Sequence, residues 1–253
     1  NVDTIANASE ATNYTGTSKF IHITSTADVT FTNTAIEDRI IYCSNNITVK
    51  FQPESFKNNI VKISGASSTF TIESPHDGAA PGNETNVHNC DIQCKNVLNL
   101  ISGAQDPVGA GEEPLDLHIT NCTINANQIS LSTIATLDTD QRVYVESSSI
   151  NCALFQNTKD DDNTAFVKFG SKVVAQYVSG FFDVDNGGSI ECLDGSNSQT
   201  VRIDIGSTTY LNSAYPHPFT VNAGEINTQV IARASLSSTT AALGTTSATT
   251  IQF

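Results

Sequence analysis

The chain has 253 residues, 38% of them apolar, and a net charge of -14 from 12 basic and 26 acidic side chains. That charge repels phosphate backbones and anionic lipid, which excludes nucleic acid as a partner. The sequence also lacks the run of about 18 apolar residues needed to insert a helix in a membrane.

Ser, Thr and Asn number 26, 31 and 24. Their side chains compete with the backbone for hydrogen bonds inside helices and suit strands and turns, so an all-β chain is expected. With no Met and Asn at position 1, an upstream segment removed from the chain is expected as well. Six Cys permit disulfides without requiring them. Sequons at Asn7, Asn13, Asn46, Asn83 and Asn121 occur at the frequency this composition produces by chance and carry no conclusion.

Residues 1–18 are polar and weakly patterned and read as an arm or cap. From there on, short runs alternate apolar with polar residues, the period of a strand with one buried face. They include Ile21-His22-Ile23-Thr24, Ile47 to Phe51, Leu117-His118-Ile119-Thr120, Val143 to Val145, Val167 to Phe169, Val201 to Ile205 and Phe219 to Val221. The first and third are near copies, which puts His22 and His118 outward on matching strands. Lys62 to Ala66 and Leu100 to Ala104 form a second pair of near copies. Turns such as Asn186-Gly187-Gly188 and Gly206-Ser207 separate the runs. Gly-, Pro-, Asp- and Asn-rich stretches at Asp77–Glu84, Gln105–Pro114 and Asn157–Asn163 read as inserted loops. Residues 235–253 form a Ser/Thr-rich tail whose alternating Ile251 and Phe253 favour docking or capping.

A repeat runs through the middle of the chain. Asn89-Cys90-Asp91-Ile92 returns as Asn121-Cys122-Thr123-Ile124 and as Asn151-Cys152-Ala153-Leu154; a degenerate copy is Ile190-Glu191-Cys192-Leu193, and Cys43 is an earlier relative. Residues two apart on a strand share a face. Coils stacked about 4.8 Å apart then gather Cys90, Cys122, Cys152 and Cys192 into one core column. Asn89, Asn121 and Asn151 form an amide ladder beside it. The expected fold is a right-handed parallel β-helix over residues 19–234, with a β-sandwich or jelly roll as the alternative.

These Asn-Cys coils and Ser/Thr/Asn-rich strands resemble the pectate-lyase-like right-handed parallel β-helix superfamily over roughly residues 20–230. The resemblance implies one of several roles: polysaccharide lyase or hydrolase, phage tailspike, virion fibre or decoration protein, adhesin. A fold does not choose among them. The Asn-Thr-Asp, Gly-His-Asp and Arg-Ile-Lys motifs of galacturonase-like members are not in this sequence. Lyase-like chemistry would draw on Arg142 or Arg202 with Glu146, Asp183, Asp185, Glu191 or Asp204, the carboxylates lying about 5–10 Å apart.

Asp183–Gly188 departs from the spacing of a calcium loop, Lys159–Asn163 reads as an exposed acidic loop, and Cys90, Cys94 and His88 read as core and surface positions rather than a zinc site. No catalytic residue, metal or cofactor is expected. The expectation is a structural virion surface protein, a fibre, spike or capsid-decorating element at the virion surface or outside the cell. It would be a homo-oligomer, trimeric or polymeric, in contact with other assembly subunits, with a host-surface glycan as candidate ligand. The alternatives are the repeating subunit of an extracellular filament or adhesin, and a polysaccharide lyase or hydrolase.

Overall fold

Three or four residues of alternating polarity followed by a polar turn make a strand too short to bury its own apolar side, so each strand must be covered by copies above and below. In the computed structural model these units wind into a parallel β-helix. The structure describes residues 1–32, 35–74, 85–102, 116–133, 142–158, 165–193, 199–205, 210–215 and 219–222, the last three segments by their backbone.

Coil 1 holds β1 (Val2–Ile5) and the short helix α1 (Ala8–Thr12). Coil 2 holds β2 (Phe20–Ile23), β3 (Val29–Phe31) and β4 (Ala35–Glu37), and coil 3 holds β5 (Ile40–Cys43), β6 (Thr48–Phe51) and β7 (Ser55–Lys57). Coil 4 follows with β8 (Ile60–Ile63), β9 (Thr69–Glu73) and β10 (Thr85–His88). In coils 5 to 7 the first two strands fuse: β11 (Asp91–Ser102) with β12 (Leu117–Thr120), β13 (Thr123–Thr133) with β14 (Val143–Glu146), and β15 (Ser149–Asn157) with β16 (Ala165–Lys168). Coil 8 is the single strand β17 (Lys172–Val184), and coil 9 holds β18 (Ser189–Cys192) and β19 (Gln199–Ile205). Finally β20 (Tyr210–Tyr215) and β21 (Phe219–Asn222) pair antiparallel with β19 and β18.

The coils stack into three faces. The first carries β1, β2, β5, β8, the starts of β11, β13, β15 and β17, and β18. The second carries β3, β6, β9 and the later parts of β11, β13, β15 and β17. The third carries β4, β7, β10, β12, β14, β16, the end of β17, and β19. Pairing is parallel throughout β1 to β19, which rules out the antiparallel meanders of a sandwich. Nine rungs at about 4.8 Å make a stack roughly 40 Å tall.

Inward positions form continuous apolar columns. On the first face Ile21, Ile41, Val61, Ile92, Ile124, Ile150, Val173 and Ile190 succeed one another, all buried. The second face stacks Phe31 on Phe51 with ring centres 4.3 Å apart, and the third carries Ile36, Phe56, Val87, Ile119, Val145, Val167 and Val184.

Residues 1–18 complete the first coil and close its end. Asn7 caps α1 by accepting from the Glu10 N–H at 3.0 Å, while the Glu10 carboxylate accepts from the Ala6 N–H at 2.6 Å. Ala11 and Tyr14 are buried, and the Tyr14 ring meets Phe31 edge-on at 5.8 Å. The Tyr14 hydroxyl donates to Asp3 at 2.7 Å and the Ser18 hydroxyl at 2.6 Å. Arg39 ties the segment to the next coils by donating to the Thr17 and Ser18 carbonyls at 2.6 and 2.7 Å.

Coil length varies far more than coil position. Equivalent corner residues are 20 apart between coils 2 and 3, then 31, 32, 26 and 23 apart. In coils 4 to 7 the added residues lie between the second and third faces. The expected inserts Asp77–Glu84 and Gln105–Pro114 fall there, outside the described residues; of Asn157–Asn163, Asn157 ends β15 and Thr158 donates its N–H to the Leu131 carbonyl at 3.0 Å. Coil 8 turns the same corner without an insert. It does so at Gly180, whose φ is +104° and where a Cβ would meet the Asn157 carbonyl oxygen at 2.1 Å. The tail, 235–253, also lies outside the described residues. One sequence equivalence is corrected by the register: β2, with His22, is on the first face, whereas β12, with His118, is on the third, because both faces impose the same alternation.

Candidate functional site

The corner between the third and first faces explains the Asn-Cys signature. Each coil turns there through a residue with φ between 46° and 58° (Asp38, Asn58, Asn89, Asn121, Ser147, Phe169 and Asn186), followed in the last two by a second left-handed residue, Gly170 at 74° and Gly187 at 79°. Asn and Asp tolerate this conformation better than other side-chain-bearing residues. Their side chains point outward and join: Asn58 donates to Asp38 at 3.1 Å, Asn89 to Asn58 at 2.9 Å, and Asn121 to Asn89 at 3.3 Å.

At the corners before Arg39, Cys90, Cys122 and Ser148 the residue after the turn does a second job. Its own N–H has no strand partner, and the inward side chain one coil on supplies one. The Arg39 N–H donates to Asn59 Oδ1 at 2.9 Å, the Cys90 N–H to Cys122 Sγ at 3.4 Å, the Cys122 N–H to Ser148 Oγ at 3.0 Å, and the Ser148 N–H to Ser171 Oγ at 3.1 Å. The accepting groups in turn donate to carbonyls of the preceding coil: Cys122 to Val87, Ser148 to Ile119 and Ser171 to Val145, at 3.5, 3.2 and 3.0 Å. Two ladders, one wet and one buried, therefore run along the same edge.

This geometry corrects the single cysteine column. Cys90 and Cys122 stack at the corner, but Cys152 lies opposite Ala126, and Cys192 opposite Ala175, in an inward column that also holds Cys43, Ile63 and Cys94. Asn151 is likewise outside the corner ladder; it faces outward on β15 beside Asn125. In coil 7 the corner pair is Ser147 and Ser148. The usable signal was broader than Asn-Cys: a turn residue, a small polar residue, any residue, then Ile or Val, as in Asn58-Asn59-Ile60-Val61 and Ser147-Ser148-Ser149-Ile150.

All six cysteines are buried and free. Burial pushes the Cys152 thiol up to about 12 and raises those of Cys43 and Cys94; the neighbouring Cys122 thiol, with burial, raises that of Cys90. All six pack in the core, and Cys90 and Cys122 also hydrogen-bond along the corner.

A groove of about 730 Å³ runs over the outer side of the bend between the first and second faces. The turn there spans Ser64–Ser68 in coil 4 but shrinks to Lys95 and Asn96 opposite Asn127 in the next two coils, a bulge in the register. Lys62, Gln93, Lys95, Asn125, Asn127 and Asn151 supply its polar lining. Amides and ammonium groups donate to hydroxyls and anions; among the lining residues no carboxylate is available for acid or base work.

The residues considered for lyase chemistry fall on two faces. Glu191 is on the first face, whereas Arg142, Glu146, Asp183, Arg202 and Asp204 belong to the third. Asp183 has Phe166 and Asp204 as register neighbours, and Arg142 lies before β14, two coils away, donating to the Tyr144 hydroxyl at 3.4 Å. His118, Tyr144 and Phe166 stack at 4.6 and 4.9 Å, and Lys168 caps the Phe166 ring at 4.1 Å. Rings stacked along the axis cover one another's faces and leave edges outward. Asp185 to Gly188 forms a tight turn, with the Gly188 N–H on the Asp185 carbonyl at 2.9 Å. Cys90 and Cys94 stand at opposite ends of one strand segment, and among the described residues no group of three metal-ligating side chains converges. Lys159–Asn163 lies outside the described residues.

Comparison with protein-family models, with curated proteins and with solved structures finds no match. The functional reading therefore rests on the geometry alone.

Proposed function

We propose that the protein is a structural component of a virion surface, a fibre, spike or capsid-decorating β-helix that acts in assembly or attachment rather than in turnover. The observation that carries this reading is the double ladder at the corner: successive coils are cross-tied by side-chain hydrogen bonds in addition to strand pairing. That investment suits a stiff element bearing load along its axis. The outward groove of lysines and amides supports a binding role, with a polyhydroxylated or anionic host-surface glycan as the matching chemistry.

The alternative of an open filament is less well supported. It would use residues 1–18 or 235–253 to complement a neighbour; β1 pairs with β2 of its own chain, and 235–253 lies outside the described residues. A lyase or hydrolase reading finds no carboxylate in the groove and would have to use the third face, where Asp183 and Asp204 are register neighbours.

The test is composition. Purified particles from the source are analysed by mass spectrometry and by electron microscopy with a labelled antibody. The expected result is the protein in stoichiometric amount on the outer surface; its absence there overturns the proposal. Release of reducing ends or unsaturated products from acidic polysaccharides would overturn its non-enzymatic part.

A further inference from the structure

The outer side of the first face changes character at a coil boundary. Val2, Phe20, Ile40 and Ile60 occupy one outward column, rung above rung, in coils 1 to 4. Val2 and Ile60 are 55% and 51% exposed, two of the four exposed large apolar side chains among the described residues, and Phe20 and Ile40 are half-buried. The adjacent outward column reads Thr4, His22, Tyr42 and Lys62, with the His22 and Tyr42 rings 5.4 Å apart. From coil 5 onward the first column becomes Asp91, Thr123, Ser149, Lys172 and Ser189, and the second Gln93, Asn125, Asn151, Val174 and Glu191. The fold needs no apolar residue in the first of these columns, since coils 5 to 9 do without one there. An apolar stripe rimmed by polar groups marks a contact surface.

We infer that this stripe is where a second copy of the chain packs, face to face and antiparallel, about a two-fold axis passing between coils 2 and 3. Charge selects the occupant. Two chains of net charge -14 repel, yet these eight outward residues include no carboxylate and one formal charge, Lys62. The antiparallel arrangement sets Phe20 against Ile40 of the second copy, Val2 against Ile60, and His22 against Tyr42. It brings Lys62 to Thr4 of the second copy, beside the recess that Asp3 and Glu10 line. A same-direction arrangement, about an axis along the stack, would exchange the two columns and set Lys62 against Ile60 of the second copy. The contact is isologous, so it closes after two copies.

The inference deepens the proposed structural role and rests on it only for its purpose. It is tested on the full chain by sedimentation velocity and light scattering over a concentration series. The expected species has twice the 26.9 kDa chain mass. Ile60→Asp and Phe20→Thr place in the stripe the residue types that Asp91 and Thr123 hold in the same column, so the strands accept them; unchanged circular dichroism and melting confirm folding. The two substitutions together are expected to weaken association at least tenfold. A Val2→Cys chain mixed with an Ile60→Cys chain is expected to cross-link under mild oxidation, and Ile60→Cys alone is not. A monomer at about 100 µM, an assembly of other than two copies, or one indifferent to both substitutions overturns the inference. None of these outcomes bears on whether the protein is found on particles, so the two readings fail separately.

Discussion

Cys122 separates two accounts of the buried cysteines. If it were only a small apolar filler, Cys122→Val would be tolerated and Cys122→Ser would cost stability. The corner geometry demands the reverse order. The Cys122 sulfur accepts the Cys90 N–H at 3.4 Å and the side chain is 2% exposed, so Val leaves a buried N–H without a partner, at about 1–3 kcal/mol. Ser keeps an acceptor and a donor in place, as Ser148 does one coil on with contacts of 3.0 and 3.2 Å; it should stay within about 1 kcal/mol of the parent. At about 2–4 °C per kcal/mol for a chain of this size, Cys122→Val should melt roughly 2–12 °C lower. Coils of a solenoid can open locally, so amide hydrogen exchange gives the sharper measurement: the Cys90 amide should lose protection in Cys122→Val and keep it in Cys122→Ser. A valine variant as stable and protected as the parent, with the serine variant weaker, would refute the capping role.

At Asn89, with φ of 54°, Gly and Ala both break two ladder bonds, but Ala adds about 1–2 kcal/mol of left-handed backbone strain, so denaturant titration should find the Ala variant less stable than the Gly variant. Gly180→Ala should prevent soluble expression or lower the melting temperature sharply, because its Cβ meets the Asn157 carbonyl at 2.1 Å. Gly170→Ala, with φ of 74° in open space, should cost only about 1 kcal/mol. The N-terminal closure should be acid-sensitive. The Ser18 hydroxyl and the Tyr14 phenol hold the Asp3 carboxyl below the usual range, so its contribution is full above about pH 4, the unfolded value, and is lost as pH falls through the depressed value. Exchange of the Ala11 and Tyr14 amides should rise over that window in the parent and lose that dependence in Asp3→Asn.

The parallel solenoid was legible because Asn89-Cys90-Asp91-Ile92 and Asn121-Cys122-Thr123-Ile124 are true equivalents, one coil apart. The third copy misled because Asn151-Cys152 shares residue types with the corner but sits mid-strand, while the real corner of that coil, Ser147-Ser148, has replaced both amide and thiol by hydroxyls. Physics conserves the hydrogen-bonding function there, not the residue. The groove was invisible for a different reason: Lys62, Gln93, Asn125 and Asn151 are spread over about 90 residues of sequence and meet only through the register. Similarly, Val2 looks like part of a polar arm until β1 is paired with β2.

The placement of the inserts has a practical reach. Peptides spliced between β11 and β12, or between β13 and β14, would emerge on neighbouring tiers of one edge, since the flanking strands stay in step. A scaffold of this kind can carry foreign epitopes in vertical register at a spacing set by the backbone, while the opposite edge, with its two ladders, keeps the tiers from slipping.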